Sequence, residues 1–137
     1  MEQRDYLLRE IEKLNHLLLA LTSKVSGLNS VNFEMGTKQI NEDLIAQFGL
    51  TLNDFINVNE TDFIERIKNI EKTNIELLVK LLSKIIEKIN ELKKEKEYST
   101  CELASKGIML IEFLDIETET FSIERMNLKM KLLSGKS

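Results

Sequence analysis

The stretch Thr73 to Leu114 reads TNIELLVKLLSKIIEKINELKKEKEYSTCELASKGIMLIEFL. Thr73 stands three residues before Glu76, the spacing of a capping box in which each side chain satisfies an orphan amide at a helix start. The apolar positions that follow, Ile75, Leu78, Val79, Leu82, Ile85, Ile86 and Ile89, recur every three or four residues. That spacing places them on one helical face, so a helix is predicted over 74–96. Ser99 and Glu102 repeat the capping signature and open a second helix, predicted over 100–114. Gly107 shares a face with Leu103, Leu110 and Leu114, and Ala104 extends the same smooth surface. A mid-helix glycine costs about 1 kcal/mol of helix propensity, a cost that close approach of a neighbouring helix explains. The two helices are therefore expected to form a tight antiparallel hairpin.

Working outward, the same criteria predict helices over 5–26, 37–49, 61–71 and 122–133, with a single turn near 52–57. The first carries Leu7, Ile11, Leu14, Leu18, Leu21 and Val25 at 4-3-4-3-4 spacing and is expected to end at Ser26-Gly27, with glycine in a left-handed cap. Residues 28–36 read as a loop, and Gly49 closes the second helix. Thr51-Leu-Asn-Asp54, Asn59-Glu-Thr-Asp62 and Ser122 supply further caps. Residues 126–132 alternate apolar and polar, a strand pattern, but the Ser122 cap favours helix. The expectation is an all-α fold in one domain spanning 1–137. Five to six helices form antiparallel hairpins, either in an α-solenoid of right-handed arrangement or in a compact bundle. The absence of proline and the presence of only five glycines among 137 residues fit long helices.

The two ends, QRDYLLREIEKLNHLLLALTSK (residues 3–24) and FSIER (Phe121 to Arg125), resemble a family of small, uncharacterised bacterial tetratricopeptide-like all-helical proteins. The resemblance implies stacked helical hairpins and brings no activity or ligand with it. A tetratricopeptide repeat usually carries an early aromatic and a closing proline. Here Ile75 and Leu78 occupy the early positions and proline is lacking, so peptide-groove residues are not carried over.

Composition bounds the function. A 42% hydrophobic and 31% charged chain with one cysteine, no secretory h-region and no apolar run of membrane-spanning length is expected to be a cytoplasmic protein. A net charge of −4 lacks the clustered cations that nucleic acid requires. The segment Asp43 to Ile56 has a helix-turn-helix cadence, yet Thr51 to Asn59 holds no Lys or Arg to meet phosphate.

Among chemical candidates, His16 is the only histidine and lies on the first helix about 180° from the apolar stripe. Glu12 is its sole nearby helical ligand partner, and a metal site needs three or four. Cys101 sits in the first turn of a helix but beside Glu102 and near Glu97, which oppose a thiolate. No metal, cofactor or catalytic residue is assigned. Lys80, Lys84 and Lys88 form a row interspersed with Glu76, Glu87 and Glu91, read as a solvated, ion-paired face.

Surplus hydrophobicity is the remaining signal. Tyr6 and Leu17 flank the first helix's stripe on one side, Leu8 and Leu19 on the other. On the closing helix Ile123, Met126, Met130 and Leu133 make one face, with Leu128 and Leu132 opposite. Tyr6, Leu17, Leu128 and Leu132 are therefore the candidate partner-facing residues. The expected function is a non-enzymatic protein–protein interaction or scaffold module whose simplest partner is a second copy. The alternatives are a small-molecule-binding or enzymatic helical domain with a pocket between helices, and a DNA-binding regulator acting through 43–59.

Overall fold

A computed structural model describes residues 2–135. Residues 1, 136 and 137 of the domain expected over 1–137 lie outside the described residues. The described chain is all helical, with no strand: α1 (Glu2–Ser26), α2 (Phe33–Phe48), α3 (Leu52–Asn57), α4 (Glu60–Ile67), α5 (Lys72–Glu91), α6 (Thr100–Thr118) and α7 (Ile123–Ser134). Seven helices replace the five to six expected, because the turn near 52–57 is a helix of its own. It has a complete capping box: Thr51 Oγ1 accepts from the Asp54 amide at 3.1 Å, and Asp54 Oδ2 accepts from the Thr51 amide at 2.9 Å.

Several boundaries move, each for a local reason. The second helix starts at Phe33, where residues 28–36 read as loop, because the Phe33 ring is buried and packs tilted against Tyr98, with ring centres 6.2 Å apart. Gly27 is not left-handed; Gly49, with φ +70°, is the glycine that caps in that conformation. The Thr73 capping box does not form. Glu71 caps α5 instead, accepting from the Thr73 amide at 2.7 Å and from the Thr73 hydroxyl. That helix ends at Glu91 rather than 96, since Lys93 turns left-handed (φ 57°) and the Lys94 amide bonds back to Ile89 O. By contrast α6 continues to Thr118, four residues past the predicted end, until Glu119 closes it at φ 53°. The cap at Ser99 is present as expected, with its hydroxyl accepting from the Glu102 amide at 3.2 Å.

The longest apolar face decides the centre. Ile75, Leu78, Val79, Leu81, Leu82, Ile85, Ile86 and Ile89 of α5 are all buried. One flank of α5 takes α1, and the two run parallel: Asn74 donates to Ile11 O at 3.1 Å and to Asn15 Oδ1 at 2.5 Å, while Lys88 Nζ reaches Ser26 O at 3.2 Å. Opposite lies α7, also parallel to α5, linked from Glu76–Arg125 at one end to Asn90–Gly135 at the other. The predicted hairpin partner α6 is antiparallel to α7, since Gly107 meets Leu132, Glu112 meets Lys129 and Asp115 meets Arg125. The short helix α3 packs on α6, and Phe55 meets Phe63 of α4 edge-on at 5.7 Å.

Two expectations about packing change. The notch at Gly107 receives Leu132 of α7, not α5: a β-carbon there would lie 2.9 Å from Leu132 Cδ1. The 4-3-4 stripe of α1 is only partly interior. Leu18, Leu21 and Val25 are buried, whereas Leu7 is 60% exposed. With Asn74 near the start of α5 facing Ile11 and Asn15, the opening turns of α1 run past the α5 terminus and find nothing to pack against.

Candidate interaction surface

Helix α7 is built to be held tightly from one side. Ser122 caps it, its hydroxyl accepting from the Arg125 amide at 3.2 Å. The inner side carries Arg125, Leu128 and Leu132, three to four residues apart. Leu132 is fully buried in the Gly107 notch, and Leu128 is half-buried against the core. Arg125 is buried too. Its Nε donates to Asp115 Oδ1 at 2.7 Å, Nη1 to Glu76 Oε1 at 2.7 Å and Nη2 to Thr120 O at 3.0 Å. Burial opposes the guanidinium charge, but the hydrogen bonds to Asp115 and Glu76 and their negative charges outweigh it and hold its pKa above the ordinary value.

The remaining charges of α7 are also turned to the body of the protein. Glu124 meets Lys80 at 2.6 Å, Lys129 meets Glu112 at 3.3 Å and Lys131 meets Glu87 at 3.2 Å. The Lys131 ammonium, by hydrogen bonding, holds Glu87 below the usual carboxylate range, and Lys80 does the same for Glu124. Every charged side chain of Ile123–Ser134 therefore has an intramolecular counterion.

The outward face is left apolar. Ile123, Met126, Met130 and Leu133, at 3-4-3 spacing, are between 47% and 72% exposed, and Phe121 beside the helix start is 72% exposed. On a helical wheel this stripe is centred about 150° from the Arg125–Leu128–Leu132 face. The Lys129–Glu112 ion pair borders it on the α6 side.

The four candidate residues thus separate. Tyr6 is exposed on the opening turns of α1, and Leu17 is half-buried against the core. Leu132 is not partner-facing, since α6 covers it, and its burial removes it as support for self-association. Leu128 is mostly taken up by the same inner face. Of the two apolar faces of the closing helix, the one carrying Ile123, Met126, Met130 and Leu133 lies outward, not the Leu128–Leu132 face named as partner-facing. The inner face contains an arginine, and an arginine reads as solvent-facing until Glu76 and Asp115 are known to await it. The usable sequence signal was Gly107, a notch that one branched side chain of a neighbouring helix had to fill.

The other chemical candidates stay apart. His16 is exposed, Cys101 is a partly exposed free thiol, and no group of three or more His, Cys, Asp or Glu among the described residues could hold a metal ion. Lys88 of the lysine row is largely covered where it reaches α1, and Lys80 ties α5 to α7. The segment 43–59 folds as the end of α2, the Gly49 cap and α3, with Leu52 and Phe55 buried. Among the described residues no helix is long and apolar enough to cross a membrane. The cleft where α5, α6 and α7 meet at Arg125 has a volume of about 10 Å³, room for one water.

Among the described residues the chain is all helical, and its helix α7 presents a neutral, apolar outward face. No family model matches the chain, and no curated protein or solved structure matches it.

Proposed function

We propose that the protein is a non-enzymatic interaction module of tetratricopeptide-like type that binds another polypeptide through the outward face of α7. The observation that carries this is the exposed Ile123–Met126–Met130–Leu133 stripe on a helix whose charges are all neutralised from behind. An exposed apolar stripe at helical spacing is what a helix offers to a groove or to another helix. Unbranched methionines at its centre adapt to the partner's shape. Support for the repeat-like reading comes from helix order: α1, α5 and α7 run parallel as one layer, and α6 packs antiparallel behind α7.

A photo-activatable phenylalanine analogue at Met130, introduced in the native host, tests the reading. Irradiation is expected to yield discrete protein adducts that are absent when the analogue replaces Asn127, which lies off the stripe. Equal labelling from both positions, or none from either, would rule the reading out.

A further inference from the structure

The outward face of α7 is apolar and exposed, and its chemistry restricts what can dock on it. The outer side of a surface helix is ordinarily polar; on α7 it holds Ile123, Met126, Met130 and Leu133. Resting on the interaction reading above, we infer that the occupant is a second copy of this chain, docked α7 to α7 in antiparallel register about a two-fold axis.

Three features favour that occupant. The stripe is self-complementary: positions 123 and 133, and 126 and 130, are symmetric about Leu128, so antiparallel pairing sets Ile123 on Leu133 of the other copy and Met126 on Met130. Bulky branched chains then close both ends of the seam, and flexible methionines fill the middle. Area is sufficient. The four stripe residues and Phe121 offer on the order of 500–600 Å² per copy, so their full coverage would bury about 1,100 Å² in all, near the roughly 1,000 Å² expected of a specific interface.

Charge is the third feature. Antiparallel pairing brings the two Lys129 side chains to the same side of the seam, where they would repel if bare. Each has its own Glu112 at 3.3 Å, so the seam is flanked by two neutral ion pairs that can exchange partners across the axis. Glu124 and Lys131 are likewise paired to α5 and leave no net charge facing the other copy. An antiparallel arrangement also opposes the two helix dipoles.

Light scattering at roughly 10–300 μM, above the micromolar end of the affinities of specific interfaces, is the first measurement. The wild-type chain should show twice 15.9 kDa. M126E/M130E should be monomeric with unchanged helical circular dichroism, a loss of affinity of at least 100-fold. E112K, which strips Lys129 of its counterion without touching the stripe, should weaken the dimer by about tenfold or more. Register is read by disulfide trapping in a Cys101→Ser background. A mixture of Met126→Cys and Met130→Cys chains should cross-link to each other far more than either does alone. A wild-type monomer throughout overturns the second copy as occupant while leaving the photo-adduct test of the interaction reading to stand by itself. A dimer unaffected by M126E/M130E overturns α7 as the seam. Cross-linking of each single-cysteine chain to itself overturns the antiparallel register.

Discussion

Leu132 fills the space that the missing side chain of Gly107 leaves, with both its methyl carbons within 3.3 Å of where a β-carbon would stand. The contact fixes the depth and register of α7 against α6. It also turns one face of α7 inward, and so decides which apolar residues remain outside.

Gly107→Ala should therefore destabilise the fold despite improving helix propensity. Alanine gains about 1 kcal/mol of propensity, but Leu132 is fully buried and cannot swing aside, and overpacking costs about 1–3 kcal/mol. The net expectation is a loss of about 1 kcal/mol in urea unfolding. Combining it with Leu132→Ala should cost clearly less than the sum of the two single losses, because the notch and its filler act as one contact. Strict additivity would show that the two residues are not coupled.

Arg125 holds α5, α6 and the α6–α7 connection at one point. Breaking a buried ion pair costs about 3–5 kcal/mol. Glu76 and Asp115 are 40% and 42% exposed and regain water once the arginine is gone, so Arg125→Ala is expected to cost about 2 kcal/mol. Arg125→Lys, which cannot span both carboxylates and Thr120 O with a planar fork, should recover only part of the loss. Thermal melts of the two variants distinguish this from a generic truncation effect, which lysine would repair nearly completely.

Acid should release α7 before the rest. Glu87 and Glu124 have folded pKa values lowered by hydrogen bonds from Lys131 and Lys80, so they bind fewer protons folded than unfolded. Their contribution is present in full above the unfolded carboxylate value, near 4.3, and is lost as pH falls through the lowered folded values. Amide hydrogen exchange, corrected for intrinsic rates, should show α7 protection unchanged from pH 7 to 5 and selectively reduced near pH 3. Uniform loss across α5, α6 and α7 would contradict this order.

Asn74 sets the register of α1 on α5. It is buried, and its amide donates to both Ile11 O and Asn15 Oδ1. Asn74→Ala deletes both bonds and leaves the acceptors to find water, so a loss of about 1–2 kcal/mol is expected. Faster exchange should follow at the α1 amides before Leu18, with α7 unaffected. Unchanged α1 exchange would mean that apolar packing alone holds the register.

Local signals were legible wherever a side chain acts on its own backbone. Thr51, Asn59 and Ser99 cap the helices that their spacing to an acid three residues on implied, and Ser122 caps the closing helix as expected. Thr73 does not cap because α5 already starts at Lys72 with Glu71 as its cap, which places Thr73 inside the helix with its own amide and hydroxyl donating to Glu71. The candidate surface was half legible. Two apolar faces on the closing helix were evident, but their inward and outward assignment depended on counterions 10 and 49 residues from Arg125 in the chain.

The sequence by itself determined the helical class, the near-universal presence of caps and the α5–α6 pair, because periodicity and capping act within a few residues. Only the tertiary structure decided where the helices stop in space and which face each one hides. The first turns of α1 are exposed because α5 begins too late to cover them. Arg125 is inside because two carboxylates from other helices meet it there, and Ile123, Met126, Met130 and Leu133 are outside as a consequence. Burial is a property of neighbours, and those neighbours are brought together by packing, not by spacing along the chain.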